Sequence, residues 1–119
     1  VAGPFHSPLM QAAADEFEKA IADIQFNDPV VTLLSNVTGK EAVNGSEIKK
    51  NAVLHLTNPV LWTSEESVLG GMIGQDVEQW SILEPGPGKV LSGLWRDTEF
   101  GEKIASVPVN TAETVANIE

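Results

Sequence analysis

Few side chains in this sequence could do chemistry. There are two histidines, His6 and His55, no cysteine, and a single arginine, Arg96. Imidazole titrates near neutral pH and can act alternately as base and acid, so each histidine is a candidate for proton transfer. Thiolate nucleophiles, disulfides and cysteine zinc sites are excluded within this chain. The histidines lie 49 positions apart and no His-Glu-x-x-His occurs, which leaves metal chemistry little support. A serine nucleophile of the elbow type needs Gly-x-Ser-x-Gly, which exposes the hydroxyl and sends the following N–H into the oxyanion hole. No serine here has glycine at both flanking positions: Asn44 precedes Ser46 by two, and Val90 precedes Ser92 by two. Gly86-Pro87-Gly88-Lys89 invites comparison with a phosphate loop, but Leu83 stands where its first glycine belongs and Val90 where serine or threonine is needed. It reads as a structural turn.

The elements that must position these groups follow from hydrophobic spacing. Leu9, Ala13, Phe17, Ile21 and Ile24 recur at helical intervals, predicting an amphipathic helix over Pro8–Ile24. Ser7 is its N-cap and Pro8 its first helical residue, which would set the helix N-terminus beside His6. After Asn27-Asp28-Pro29, the β-branched run Val30–Leu34 predicts a buried strand of a parallel sheet. A second helix is expected over Ser46–Leu56, with Ile48, Ala52 and Leu56 on one face. A third should run from Pro59 to about Met72 and end at the Gly70-Gly71 pair and Gly74. Trp80–Leu83 predicts a strand, Lys89–Trp95 a short helix and Ile104–Val109 a last strand, an alternation that places the chain in the α/β class. The isolated Trp62, Trp80 and Trp95 are expected in packing rather than as ligand platforms.

Composition narrows the partners. The 119 residues are 42% hydrophobic, enough for a packed core, and their formal net charge of -10 would repel nucleic acid. Lys49, Lys50, Lys89 and Arg96 are expected to be solvated surface charges. No apolar run approaches the ~18 residues of a membrane span, and nothing resembles a signal peptide, so a soluble and cytoplasmic protein is expected, with an organelle left open. The start at Val1 reads as a cut through a larger protein.

Three segments carry a family resemblance. Gly3-Pro4-Phe5-His6-Ser7-Pro8-Leu9-Met10 resembles the glycine, aromatic, histidine, serine, proline, x, methionine signature of malonyl-CoA:acyl-carrier-protein transacylases and polyketide-synthase acyltransferase domains. Asn58-Pro59-Val60-Leu61-Trp62 and the stretch from Gly86 to Leu94 follow in the family's order, with Ser35-Asn36-Val37-Thr38-Gly39 between. The resemblance implies that residues 1–119 are the C-terminal segment of the acyltransferase α/β-hydrolase-like core, a parallel sheet flanked by helices. It implies a ping-pong transfer of malonyl from CoA to the carrier-protein thiol, in fatty-acid or polyketide synthesis. His6 would be the catalytic base, oriented by the main-chain carbonyl of His55, where bacterial members are expected to carry glutamine; the His55 side chain is expected to have no chemistry of its own. Phe5 matches a bulky residue that favours malonyl over methylmalonyl, and Ser7 borders the substrate if it does more than cap the helix. No cofactor is implied. The partners implied are malonyl-CoA, acyl carrier protein and an N-terminal part of the same enzyme bearing the serine, without nucleic acid or membrane. An alternative is a non-catalytic binding module, or inactive fragment, derived from an acyltransferase.

Overall fold

Pro8, whose ring presets a helical φ, opens a 3-10 turn over Pro8–Met10 that runs into α1, Gln11–Ala20. The computed structural model describes residues 4–116, so the strand-like start over Val1–Gly3 lies outside the described residues. α1 stops short of the expected Ile24, and its buried side is not the expected stripe. Ala14 and Ile21 are buried, whereas Leu9 and Ile24 are 80% and 52% exposed. The cause of the early stop lies in α2: Lys49 Nζ donates to the carbonyls of Ala22 (2.6 Å) and Ile24 (3.0 Å), which take a side-chain donor in place of the next helical turn. Lys49 is therefore not the solvated charge expected of it.

The Val30–Leu34 run does not form the expected buried strand. Val30 is 99% and Val31 74% exposed, and β1 comprises only Leu34–Ser35. β-propensity expresses fit to a neighbouring strand, and among the described residues nothing pairs with Val30 or Val31. β1 pairs antiparallel with β2, Lys40–Glu41, through the turn that contains Gly39.

α2, Gly45–Leu54, starts at a capping box. Asn44 Oδ1 accepts from the N–H of Glu47 (2.9 Å), and the Glu47 carboxylate reaches back to the N–H of Val43 (3.0 Å). Asp28 accepts from the Gly45 N–H at 2.8 Å, and a side chain at Gly45 would run into the Phe26 carbonyl, so this end of α2 is anchored to the preceding loop. α3, Trp62–Ile73, follows the Asn58-Pro59 break.

The chain divides into two compact units, residues 1–68 and 69–119, with the division inside α3. In the second, β3 (Ile82–Pro85) pairs parallel with β4 (Ser106–Val109), joined by α4, Val90–Arg96. This is the parallel, helix-flanked arrangement of the expected α/β class. Trp95, 2% exposed, centres this unit: it stacks on Phe100 and donates from Nε1 to the Ile104 carbonyl at 2.8 Å. Trp62 and Trp80 are half-buried. The Gly86–Lys89 turn is structural, because the Glu84 carboxylate accepts from the N–H groups of Leu91 (3.0 Å) and Ser92 (2.7 Å), the donors an anion would have used. A short α5, Ala112–Ala116, capped by Thr111, ends the described chain and was not legible from periodicity at five residues. Among the described residues no helix is long and apolar enough to cross a membrane.

Gly39 tests the packing of the hairpin on α3. Its φ is +63°, and a Cβ there would collide with Cβ of Ser64. Gly39→Ala should lower stability by about 1–3 kcal/mol, read as a reduced urea midpoint at unchanged slope. An unchanged midpoint would show that the hairpin turn is not held against α3.

Candidate active site

The last carbonyls of an α-helix have no intrahelical partner and must be satisfied from outside. At the end of α2 those of His55 and Leu56 are taken by one residue. The His6 backbone N–H donates to Leu56 O at 3.0 Å, and His6 Nδ1 lies 2.8 Å from His55 O. The second contact determines the tautomer: a carbonyl only accepts, so Nδ1 carries the proton and, in the neutral ring, Nε2 carries the lone pair. His6 itself has φ +61°, the left-handed region, which costs a non-glycine residue roughly 1–2 kcal/mol. The two bonds to α2 hold it there. His6 is exposed, and among the described residues no hydrogen bond engages Nε2. The result is an accessible imidazole of fixed tautomer, able to accept a proton and return it.

The structure brings Phe5, His6, Ser7 and His55 into the same unit. Phe5 is 51% exposed. Ser7 occupies the N-cap position, but its hydroxyl makes no cap bond and instead donates to Pro4 O at 2.6 Å, tightening the loop that carries His6.

The His55 side chain departs from expectation: it is partly buried and bonded. With the Asn36 amide oriented so that Oδ1 accepts from His55 Nε2 (3.1 Å), its Nδ2 donates to Glu65 Oε1 (2.7 Å) and Oε2 (3.2 Å). Asn36 is placed by its own backbone, whose carbonyl accepts from the Leu61 N–H at 2.8 Å, one residue before α3. Glu65 is only 6% exposed, and burial raises its pKa above the ordinary carboxylate value. Burial first, and then the charge of His6, lower the pKa of His55; the two rings lie 4.7 Å apart, tilted by 31°. Asn36 lies in a segment noted for its resemblance, so it had a signal. Glu65, in the pair Glu65-Glu66, had none. Among the described residues no group of three or more metal-ligating side chains forms.

The sequence is 43% identical over 94 residues, 79% of this chain, to the malonyl CoA-acyl carrier protein transacylase of Escherichia coli K12. The chain belongs to the malonyl-CoA:acyl-carrier-protein transacylase family. No protein-family model matches it. An acyl carrier protein S-malonyltransferase from Vibrio cholerae superposes over 100% of this chain with a TM-score of 0.82 at 29% identity. A malonyl-transacylase in complex with its type II polyketide-synthase acyl-carrier protein superposes over 98% with a TM-score of 0.80 at 28% identity. The chain spans about a third of these proteins' lengths, 29%, 37% and 35% respectively.

The lowered pKa of His55 has a sign in the stability of the unit. The unfolded imidazole, with a pKa of about 6.5, takes up a proton more readily than the folded one. Stability contributed by His55 is therefore present above that pH and lost as pH falls below it. Denaturation midpoints measured from pH 8 to pH 5 should fall more steeply for the wild type than for His55→Gln. Parallel curves would show that His55 is not held neutral by its surroundings.

Proposed function

We propose that this chain is the C-terminal part of a malonyl-CoA:acyl-carrier-protein S-malonyltransferase and supplies its general base, His6. The observation that carries this reading is the bond from His6 Nδ1–H to the His55 carbonyl, which leaves Nε2 as the proton acceptor. In the forward half-reaction Nε2 takes the hydroxyl proton of a serine borne elsewhere in the protein as that oxygen attacks the malonyl thioester. The imidazolium then returns the proton to the departing CoA sulfur. In the second half-reaction Nε2 takes the proton of the carrier-protein thiol, which attacks the malonyl ester, and the serine leaves as its alcohol. A carbonyl suffices to orient the base, because it fixes the tautomer without needing a carboxylate. Phe5 would crowd a substituent on the malonyl α-carbon, and Ser7 holds the loop rather than the substrate. No cofactor is needed for either step.

The need for further protein is supported by what this chain leaves uncovered. Parallel strands are ordinarily buried on both faces, yet Leu83 of β3 and Val107 of β4 are 41% and 50% exposed in a two-stranded sheet. In the first unit Val30 and Val31 stand in solvent. A cleft of about 250 Å³ lined by Leu34, Ser35, Asn36, Ala42, Asn51 and His55 holds a buried Asn51 amide nitrogen with no hydrogen-bond partner. Strands and carbonyls from the serine-bearing part would satisfy these groups. The carrier-protein complex of the similar malonyl-transacylase supports a carrier protein as acceptor.

His6→Ala in the assembled protein should lower kcat for malonyl transfer at least ~10²-fold with little change in KM. The check is a discontinuous transfer assay to holo carrier protein. Near-normal turnover would remove His6 from the chemistry and leave this chain a structural part of the enzyme.

A further inference from the structure

The transfer steps above use the His55 carbonyl and make no use of its side chain, of Asn36 or of Glu65. We propose that Glu65, Asn36 and the His55 imidazole form a two-state positioning bridge, in which the proton on Glu65 selects the tautomer of His55 beside the base. Its catalytic consequence rests on the assignment of His6; the bridge itself does not.

Donor and acceptor capacity couples the three side chains. An ionised Glu65 only accepts, so the Asn36 amide must present Nδ2 to it, at 2.7 and 3.2 Å. Oδ1 then meets His55 Nε2 at 3.1 Å, and that nitrogen must carry the proton. A protonated Glu65 can donate to Oδ1, which rotates the amide end for end. Asn36 Nδ2 then meets His55 Nε2 at the same 3.1 Å, and Nε2 must be the acceptor, with the proton on Nδ1. Both arrangements match a donor to an acceptor at the Glu65–Asn36 contact and at the Asn36–His55 contact. They differ by one proton taken up at Glu65 and by the transfer of the His55 proton, through solvent, from Nε2 to Nδ1.

The site has the features such a switch requires. Glu65 is 94% buried by its 6% exposure, so its proton has few other partners, and burial moves its titration toward neutral pH. The groups facing the bridge are few. From α3, Glu66 lies beside Glu65, but its carboxylate is engaged by Trp62 Nε1 at 2.7 Å. From the loop, His6 brings its ring to 4.7 Å from that of His55. From α2, His55 itself contributes both the switching ring and the carbonyl that holds His6 Nδ1. A change of tautomer therefore turns the ring dipole, 4.7 Å from the base, on the very residue whose backbone orients it.

The test is histidine tautomer state read by two-bond 1H–15N correlation in the intact protein, where the two imidazoles of this chain give separable patterns. At pH 8 His55 should be the Nε2–H form. In Glu65→Gln, whose amide can donate to Asn36 Oδ1 as well as accept from Nδ2, the constraint on Nε2–H is lifted and the Nδ1–H form should appear, while His6 stays Nδ1–H in both. The same conversion should occur in the wild type on acidification, in step with the Glu65 carboxyl 13C shift, which needs no variant to fold. In the transfer assay the acid limb of the kcat profile should move in Glu65→Gln while KM for malonyl-CoA stays within about twofold. An unchanged His55 tautomer in the wild type through the Glu65 titration overturns the bridge. A tautomer switch in a protein that transfers no malonyl group upholds the bridge and overturns the assignment of His6.

Discussion

Everything at the site depends on the unsatisfied carbonyls at the end of α2. They accept both the backbone and the ring of His6, and so determine where the imidazole stands, which nitrogen carries its proton and why a histidine tolerates φ +61°. A helix terminus is a precise acceptor because its carbonyl directions are set by the whole helix. The capping box at Asn44 and Glu47 and the Asp28 bond to Gly45 hold the opposite end of α2, so the His6 ring is referenced to a capped helix rather than to its own exposed loop. Loss of the Asn44 cap alone would cost about 1 kcal/mol of that rigidity.

The surroundings of His55 show a residue that acts through both its backbone and its side chain. Its carbonyl serves His6 whatever the side chain, so the ring is free to join Asn36 and Glu65. A buried carboxylate beside an amide is stable only if every donor and acceptor is matched. Asn36 meets that condition with Oδ1 toward His55 and Nδ2 toward Glu65, its own backbone tied to the residue before α3 by the Leu61 N–H. The hairpin turn at Gly39, packed on Ser64, keeps Asn36 within reach of Glu65.

Much of this was legible in the sequence, for reasons that can be named. α2, α3, β3, α4 and β4 announce themselves through caps, breakers and helical or strand spacing that the final packing obeys. The resemblance carried by the His6 and Asn58–Trp62 segments pointed to the two residues that meet. The Val30–Leu34 run and the α1 stripe misled because periodicity reports a face to be covered, without saying whether the covering element is part of this chain. Lys49 was read as a surface charge and Glu65 drew no reading, since a single charged residue in a helix gives no sign that a carbonyl or an amide waits for it across the fold. The short α5 offered too few residues for any period.

The chain spans about a third of the length of the relatives it matches, and Val30, Val31 and the faces of its two-stranded parallel sheet stand exposed. The central claim is that this chain provides an oriented base for a nucleophile it does not itself carry. The most direct measurement is peptide-level mass spectrometry of the assembled protein after brief exposure to malonyl-CoA, locating the acyl group by sequence. The account predicts malonyl on a serine outside residues 1–119 and none on any serine within them. A malonyl ester on a serine of this chain would contradict it.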